Sequence, residues 1–522
     1  MNIRRLAVVG LASLALVGCS TVTGGDNASN SASNGDSSGV NPKDVLIIAQ
    51  NSDVKTLDPH NASERPAERV NRNVYSRLFD RTPDNEIVPE IVTDYEQVNE
   101  TTWRFKLRDD VKFSNGDPLT AKDVEYSLTR VSTDESLLEQ SRWAQISKVT
   151  ALDDYEVEIV TDGPMPTLLN LLSKSGGDIL PSRYIEENGL EAFIQSPIGS
   201  GPYQIVSWER DSRVVLEPNP EYYGEPASWR QVIVRAIPES STRTSELTTG
   251  GVDIITDVPP IEWDRVEGSG EARLIHGESS RTMLMIVRMT EGTVTADPKV
   301  REAIDLAVDE QEIIDALLPG GVAVPTRTRA PQGVFGGHPD LYGSYLADMD
   351  RAKALVQEVG GGDPIPLKLT APRGRYPMDA EVAELVTAML SEAGFEVELE
   401  ILEGGAFSDV YGNKTNEELL LIALADAMLD ASYSLNHYQK DRAEGQTDYF
   451  NPEVEDLMHQ GNRTFDEAER ERIYHRVQEI VAEERPHIPM FQLNATYGVA
   501  ADIEWTPTFD EAMVFDDVKV VE

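Results

Sequence analysis

Residues 196–229 read SPIGSGPYQIVSWERDSRVVLEPNPEYYGEPASW. Gly199, Ser200 and Gly201 form a loop with almost no side-chain bulk, and Pro202 keeps that loop from coiling into a helix. Residues 203–208 are rich in β-branched and aromatic side chains (Tyr203, Ile205, Val206, Trp208) and read as a strand. Residues 209–212 are a polar turn, and Val214, Val215 and Leu216 make the return strand. Asn219-Pro220 and Gly224-Glu225-Pro226 mark the next two turns. The stretch is a β-hairpin entered through a glycine loop, as expected inside a mixed α/β domain.

Outward from this hairpin, strands and helices alternate. Towards the C-terminus, 233–237 reads as a strand, 240–247 as a helix, and Gly250-Gly251-Val252-Asp253 as a turn into a buried strand. Residues 284–287 are an apolar strand, and 297–318 are two helices striped by Val300, Ile304, Ile313 and Leu317. A helix at 350–360 precedes a strand at 367–369, an amphipathic helix at 379–393 and a strand at 395–399, which together fit a parallel βαβ unit. A buried strand at 418–424, a long helix at 467–484 and a returning strand at 489–493 complete this part. Towards the N-terminus, 45–49 is a buried-type strand and 68–78 a helix. Residues 102–108 alternate as a half-buried strand, 111–117 form a second short strand ending in Asn115-Gly116, and Thr120 caps the helix that follows. At 522 residues the chain is too long for one core and divides into two or three domains, and 40% hydrophobic content is enough to pack them.

A formal net charge of −45 excludes nucleic acid as a partner, because phosphate binding needs a basic face. The acidity is spread along the chain, as on a solvated surface. Arg373-Gly374-Arg375 is a basic loop within it. No enzyme chemistry is indicated. The His residues do not fall at metal-ligand spacing, Gly199-Ser200-Gly201 lacks the Lys of a phosphate loop, and no G-x-S-x-G elbow occurs. The single cysteine, Cys19, follows Arg4-Arg5 and an apolar run over 6–17, which is too short to span a bilayer in comfort. Leu16-Val17-Gly18-Cys19 matches the lipobox of bacterial lipoproteins, so 1–18 is expected to be a signal peptide and Cys19 the lipidated residue. Residues 19–41, rich in Gly, Ser, Asn and Asp, are expected to be a flexible tether.

The order of parts in 196–229 resembles family 5 of the bacterial extracellular solute-binding proteins, the dipeptide- and oligopeptide-binding proteins of ABC importers. The resemblance is denser over 78–130, where Trp103, Leu107-Arg108, Val111, Phe113 and Gly116 precede Leu119-Thr120-Ala121 and Asp123-Val124. Thr56-Leu57-Asp58-Pro59, Gly251-Val252-Asp253 and Asp297 with Val300, Arg301 and Ala303 also fit it. It implies an α/β, two-lobe periplasmic-binding-protein-like fold of type II, cluster C, with an extra subdomain in lobe one. Lobe one is then 42–288 with a return at 490–522, and lobe two is 289–489. The implied protein is a monomeric, lipid-anchored receptor on the extracellular or periplasmic side of the cell membrane. It would need no cofactor or metal, would trap a small peptide between its lobes, and would deliver it to an ABC permease and ATPase complex. A dipeptide in a dry cleft needs a carboxylate for its ammonium and a guanidinium for its own carboxylate. The resemblance places Asp426 in the first role and Arg375, or Arg373, in the second, and it implies ligand contacts from Thr56, Leu57, Ser200, Gly201 and Tyr433. The family's Trp before that Asp is absent here, where Ala423-Leu424-Ala425 stands. The alternatives are the same fold holding a non-peptide solute such as an oligosaccharide, or a non-transport sensor lipoprotein.

Overall fold

The computed structural model describes residues 43–62 and 64–521, so the expected signal peptide, Cys19 and the 19–41 tether lie outside the described residues. Its centre is an 11-stranded mixed sheet. The hairpin of the 196–229 stretch forms one edge: Tyr203–Glu209 pairs antiparallel with Arg213–Pro218, which pairs with Gln231–Ala236. Val45–Gln50 lies next and runs parallel to Gln231–Ala236, with Leu46 opposite Val232 and Ile48 opposite Val234. All four are buried, as apolar runs in a sheet covered on both faces should be. At the other end, Phe395–Glu403, Ile365–Arg373 and Leu419–Ala425 lie side by side in parallel. The helix Asp379–Ala393 connects the first two, completing the expected βαβ unit.

Two long strands join these halves. Ala272–Val287 and His487–Ala500 run antiparallel for most of their length. The first meets Leu419–Ala425 through 281–287, and the second meets Ile254–Ile255 through Gly498 and Val499. Their register breaks between Gly277 and Arg281, a bulge that bends both strands. There Ser279 donates to the Leu493 carbonyl at 2.7 Å, and the Ser280 hydroxyl donates to the Asp426 carbonyl at 3.0 Å. Each half has its own core. One contains Leu46, Leu216, Trp229, Val232, Tyr497 and Phe515, the other Met285, Ile304, Leu369, Val386 and Leu421.

A four-stranded antiparallel sheet sits apart, in the order Val92–Asn99, Thr102–Leu107, Glu156–Thr161, Ile146–Ala151. Trp103, Phe105 and Leu107 point to its core, against Val124 and Leu128 of the helix Ala121–Thr133. The Asp123 carboxylate accepts from the Thr120 amide at 2.8 Å, which starts that helix.

Two sequence expectations are corrected. The helix expected over 68–78 is Arg65–Val74, with Pro66 in its first turn, where a missing N–H costs nothing. It stops because the chain turns extended at Tyr75, whose backbone has φ −114° and ψ 150°. The short strand expected over 111–117 is a tight turn, joined by a single bridge from Lys112 to Pro118 and carrying Gly116 at φ +87°.

Candidate functional site

The Gly-Ser-Gly loop sets the geometry by close packing. The Gly201 amide donates to the Val74 carbonyl at 2.9 Å, and Ser114 donates to the Gly199 carbonyl at 2.8 Å. The loop therefore pins the C-terminal end of the Arg65–Val74 helix, and that helix carries arginines into the space between the halves. Arg65 and Arg72, with Arg77, Arg81 and Lys174, line a cavity whose far wall includes Ala427. Glu68 and Asp510 are the acids in that lining. Most of these cations are paired: Arg65 with Glu68 at 2.6 Å, Arg77 with Asp178 at 2.9 Å, Lys174 with Glu139 at 2.6 Å, and Arg72 with Asp80. Arg81 instead donates across the gap to the Met428 carbonyl at 2.8 Å, where Asn170 also donates at 3.1 Å. Burial holds the Arg81 guanidinium below its ordinary pKa.

Beside it lies a cavity of about 230 Å³ with walls from both sides of the molecule. Arg142, Gln145 and Thr167 form one wall; Met428, Tyr433, Asn436 and Arg442 form the other. The Arg142 guanidinium stands 5.7 Å from the centre of the Tyr433 ring and is ion-paired with Glu139, which also holds Lys174 of the neighbouring cavity. The volume is below the range of about 300–1,000 Å³ typical of drug-sized ligands, so the space suits a small solute. A wider hollow of about 460 Å³ beside Tyr126 and Lys148 takes its walls from the small-sheet region alone.

Asp426 is enclosed behind this wall, with 1% of its surface exposed. Its Oδ1 accepts from the amides of Met428 and Asp430, and its Oδ2 from the Ser434 hydroxyl. It thereby fixes the loop that brings Met428 and Tyr433 to the cavity. Leu429 in that loop is held at φ +53°, a strained conformation for a leucine. Burial, reinforced by the Asp430 carboxylate, raises the Asp426 carboxyl to about 6, against the pull of Ser434 and the two amides. The folded protein therefore keeps a proton that the unfolded chain releases, and stability contributed by this group falls as pH rises from about 4 to about 6. The decline is expected to be about 2–3 kcal/mol, and Asp426→Asn should flatten it. Urea unfolding of both proteins across that window checks this; parallel pH curves would refute it.

The structure brings Asp426 and Tyr433 together and disperses the other sequence candidates. Arg375 is exposed and donates to the Ser408 hydroxyl at 3.0 Å. Arg373 is exposed 3.9 Å from Glu403. Neither lines the two cavities. The Thr56 hydroxyl accepts from the Asp58 amide at 3.1 Å, and Leu57 is buried in the first core. Asp58 itself is gripped at both oxygens by Arg130, at 2.9 and 2.6 Å. Ser200 is fully enclosed beside Gly201 in the packed loop. Cys19 lies outside the described residues. Sequence reading missed the cleft arginines, although one signal was present: Arg65, Arg69, Arg72, Arg77 and Arg81 crowd one short stretch of a chain with 46 basic and 91 acidic residues.

Residues 86–446, more than half of the chain, match the family described as "Bacterial extracellular solute-binding proteins, family 5 Middle". The curated Escherichia coli (strain K12) protein named "Probable D,D-dipeptide-binding periplasmic protein DdpA" is 25% identical over 478 residues, which cover 89% of this chain and 91% of that protein. Among solved structures, the periplasmic binding protein DppA of Helicobacter pylori in complex with the peptide STSA superposes with a TM-score of 0.80 at 22% identity, covering 92% of this chain and 98% of that one. AgaA from A.tumefacien R10, in complex with agropinic acid, superposes with a TM-score of 0.79 at 22% identity, covering 92% and 99%. The fold is therefore the two-lobe α/β architecture of periplasmic binding proteins.

Proposed function

The chain belongs to family 5 of the bacterial extracellular solute-binding proteins, and on that premise we propose that it captures a small peptide between its lobes and delivers it to the permease and ATPase of an ABC importer. Lobe one is taken as 42–288 with 490–522 and lobe two as 289–489, with the register break at 277–281 as the point about which they close. One observation carries the peptide reading: a small cavity with walls from both sides is lined by a guanidinium, Arg142, on one wall and by a carboxylate, Asp441, on the other. The two ends of a zwitterion thus find opposite charges on opposite sides, and closing the lobes removes water from both contacts.

Calorimetry with alanyl-alanine, alanyl-phenylalanine and their C-terminal amides tests this. The free acids are expected to bind, and each amide to bind at least about tenfold more weakly. Arg142→Ala should weaken the free acids by about 2–4 kcal/mol. It should leave the protein folded, because Glu139 keeps Lys174 as its partner. Failure of all four peptides to bind, or equal affinity of acid and amide, overturns the reading.

Membrane attachment is assigned to Cys19, on the strength of its Leu-Val-Gly-Cys setting. Two acyl chains anchor firmly where one does not. Cys19→Ser should therefore shift the protein from the membrane to the soluble fraction of cells that produce it, and an unchanged distribution would exclude the lipid.

A further inference from the structure

We infer that the solute carries a second anionic group, bound by Arg329 from inside lobe two, so that acidic peptides are the preferred cargo. The inference rests on the peptide-receptor reading above and extends it to the class of peptide.

Arg329 is 4% exposed, and its guanidinium makes no hydrogen bond or ion pair with any described residue. It lines a cavity of about 10 Å³, room for about one water, with Leu435, Tyr438, Gln478 and His487, so a solute carboxylate reaches it only when the 433–438 stretch shifts. His487 is equally enclosed, with both ring nitrogens unpaired among the described residues, and its ring lies 5.0 Å from that of Tyr438 and 6.2 Å from that of His437. One short stretch separates this space from the 230 Å³ cavity: Tyr433 and Asn436 face the larger, Leu435 and Tyr438 the smaller. The Oδ1 of Asn436 is itself buried without a partner among the described residues.

The charges do not balance. Tyr438 lines the cavity with Arg329; Tyr411, Tyr433 and Asp426 act on its charge, and burial keeps the three phenols neutral. Burial likewise keeps His437 and His487 uncharged, helped by the nearby guanidinium. Asp426 is already committed to two amides and a hydroxyl. Arg142 and Arg442 bear on the same His437 and Tyr411. Of these three arginines, Arg142 alone is ion-paired among the described residues, and its Glu139 is shared with Lys174. An enclosed guanidinium without a countercharge is unfavourable, and a carboxylate brought in by the solute removes that penalty. A peptide that places one carboxylate on Arg142 and a side-chain carboxylate on Arg329 satisfies both.

Calorimetry with alanyl-glutamate and alanyl-glutamine, which differ in charge but hardly in shape, reads this directly. Glutarate and its mono-amide, glutaramate, serve as non-peptide probes. In the wild type, alanyl-glutamate is expected to bind about thirtyfold more tightly than alanyl-glutamine. In Arg329→Met that ratio should fall to within about threefold. Thermal unfolding of ligand-free Arg329→Met should show no loss of stability, since an uncompensated buried charge has been replaced by an apolar side chain. A purely structural role would lower both affinities together and leave the ratio intact, which overturns the inference. Equal binding of the two peptides by the wild type also overturns it, while the peptide reading stands. If neither peptide binds but glutarate is preferred over glutaramate in an Arg329-dependent way, the peptide reading fails and the second anion site stands. If none of the four probes binds, both fail.

Discussion

Gly199→Ala is expected to lower the unfolding free energy by about 3–5 kcal/mol. A Cβ at that position would sit 1.9 Å from the Val74 carbonyl oxygen, a backbone atom that no side-chain rotation can move aside. The loop has little freedom to retreat. Gly201 donates to the same Val74 carbonyl, and Ser114 holds Gly199 from the other side. The clash must therefore displace the end of the Arg65–Val74 helix, and with it two arginines of the cleft, so affinity for the solute should fall along with stability. A fair control is Gly405→Ala, in the helix Gly404–Gly412, where a Cβ meets nothing within 4 Å. That change should stabilise by about 0.5–1 kcal/mol. Urea unfolding of the two variants beside the wild type decides the matter; a loss below about 1 kcal/mol for Gly199→Ala would show that the loop yields and is not a fixed support.

Arg470→Ala is expected to cost about 3–5 kcal/mol, by a different mechanism. Arg470 donates to the Asp430 carboxylate at 2.8 Å, with side-chain exposures of 6% and 1%, and its guanidinium lies 4.3 Å from the Phe335 ring centre. The other Asp430 oxygen caps the helix Ala431–Leu435 through the Ser432 amide. Burial raises the Asp430 carboxyl even with Arg470 present. Without Arg470 its pKa rises further, so the folded state holds a proton that the unfolded chain releases. The loss is then full above the folded pKa and shrinks as pH falls below it. The double change Asp430→Asn with Arg470→Met removes both charges and should recover most of the stability. Denaturation at pH 7 and pH 5 checks both points; a single variant as stable as the wild type, or a double variant no better than the single, would show that the pair carries no such energy.

Regular, strongly patterned elements were legible from sequence. The helix Glu467–Glu484 appears where the periodicity predicts it, and the strand–helix–strand run through Asp379–Ala393 is parallel as expected. Val92–Asn99 was not legible, because it is an edge strand with exposed side chains after Val92 and shows no alternation to read. The site divides in the same way. The resemblance placed Asp426 just after a buried apolar strand, Leu419–Ala425, and it lies there, enclosed behind the cavity wall without lining the cavity. Arg142 could not be found, because its role depends on Tyr433, almost 300 positions away, standing 5.7 Å from it. Arg375 was assigned from the resemblance, by its place in the loop before Asp379–Ala393, and a position along the chain carries no information about which way a loop faces.

The two long strands also constrain when the protein can fold. Ile254–Ile255 waits for Gly498 and Val499 to pair with it. The Trp229 indole donates to the carbonyls of Phe515 and Val518, and the Tyr203 hydroxyl to Asp516. A chain growing from its N-terminus therefore cannot close its first core until almost its last residue exists. Such distant pairings are slow to form, because the loop between them must be closed before any contact rewards it. Until then the first core lacks the partners of Trp229 and Tyr203, and the unfinished chain keeps open sheet edges that invite chaperones or proteases.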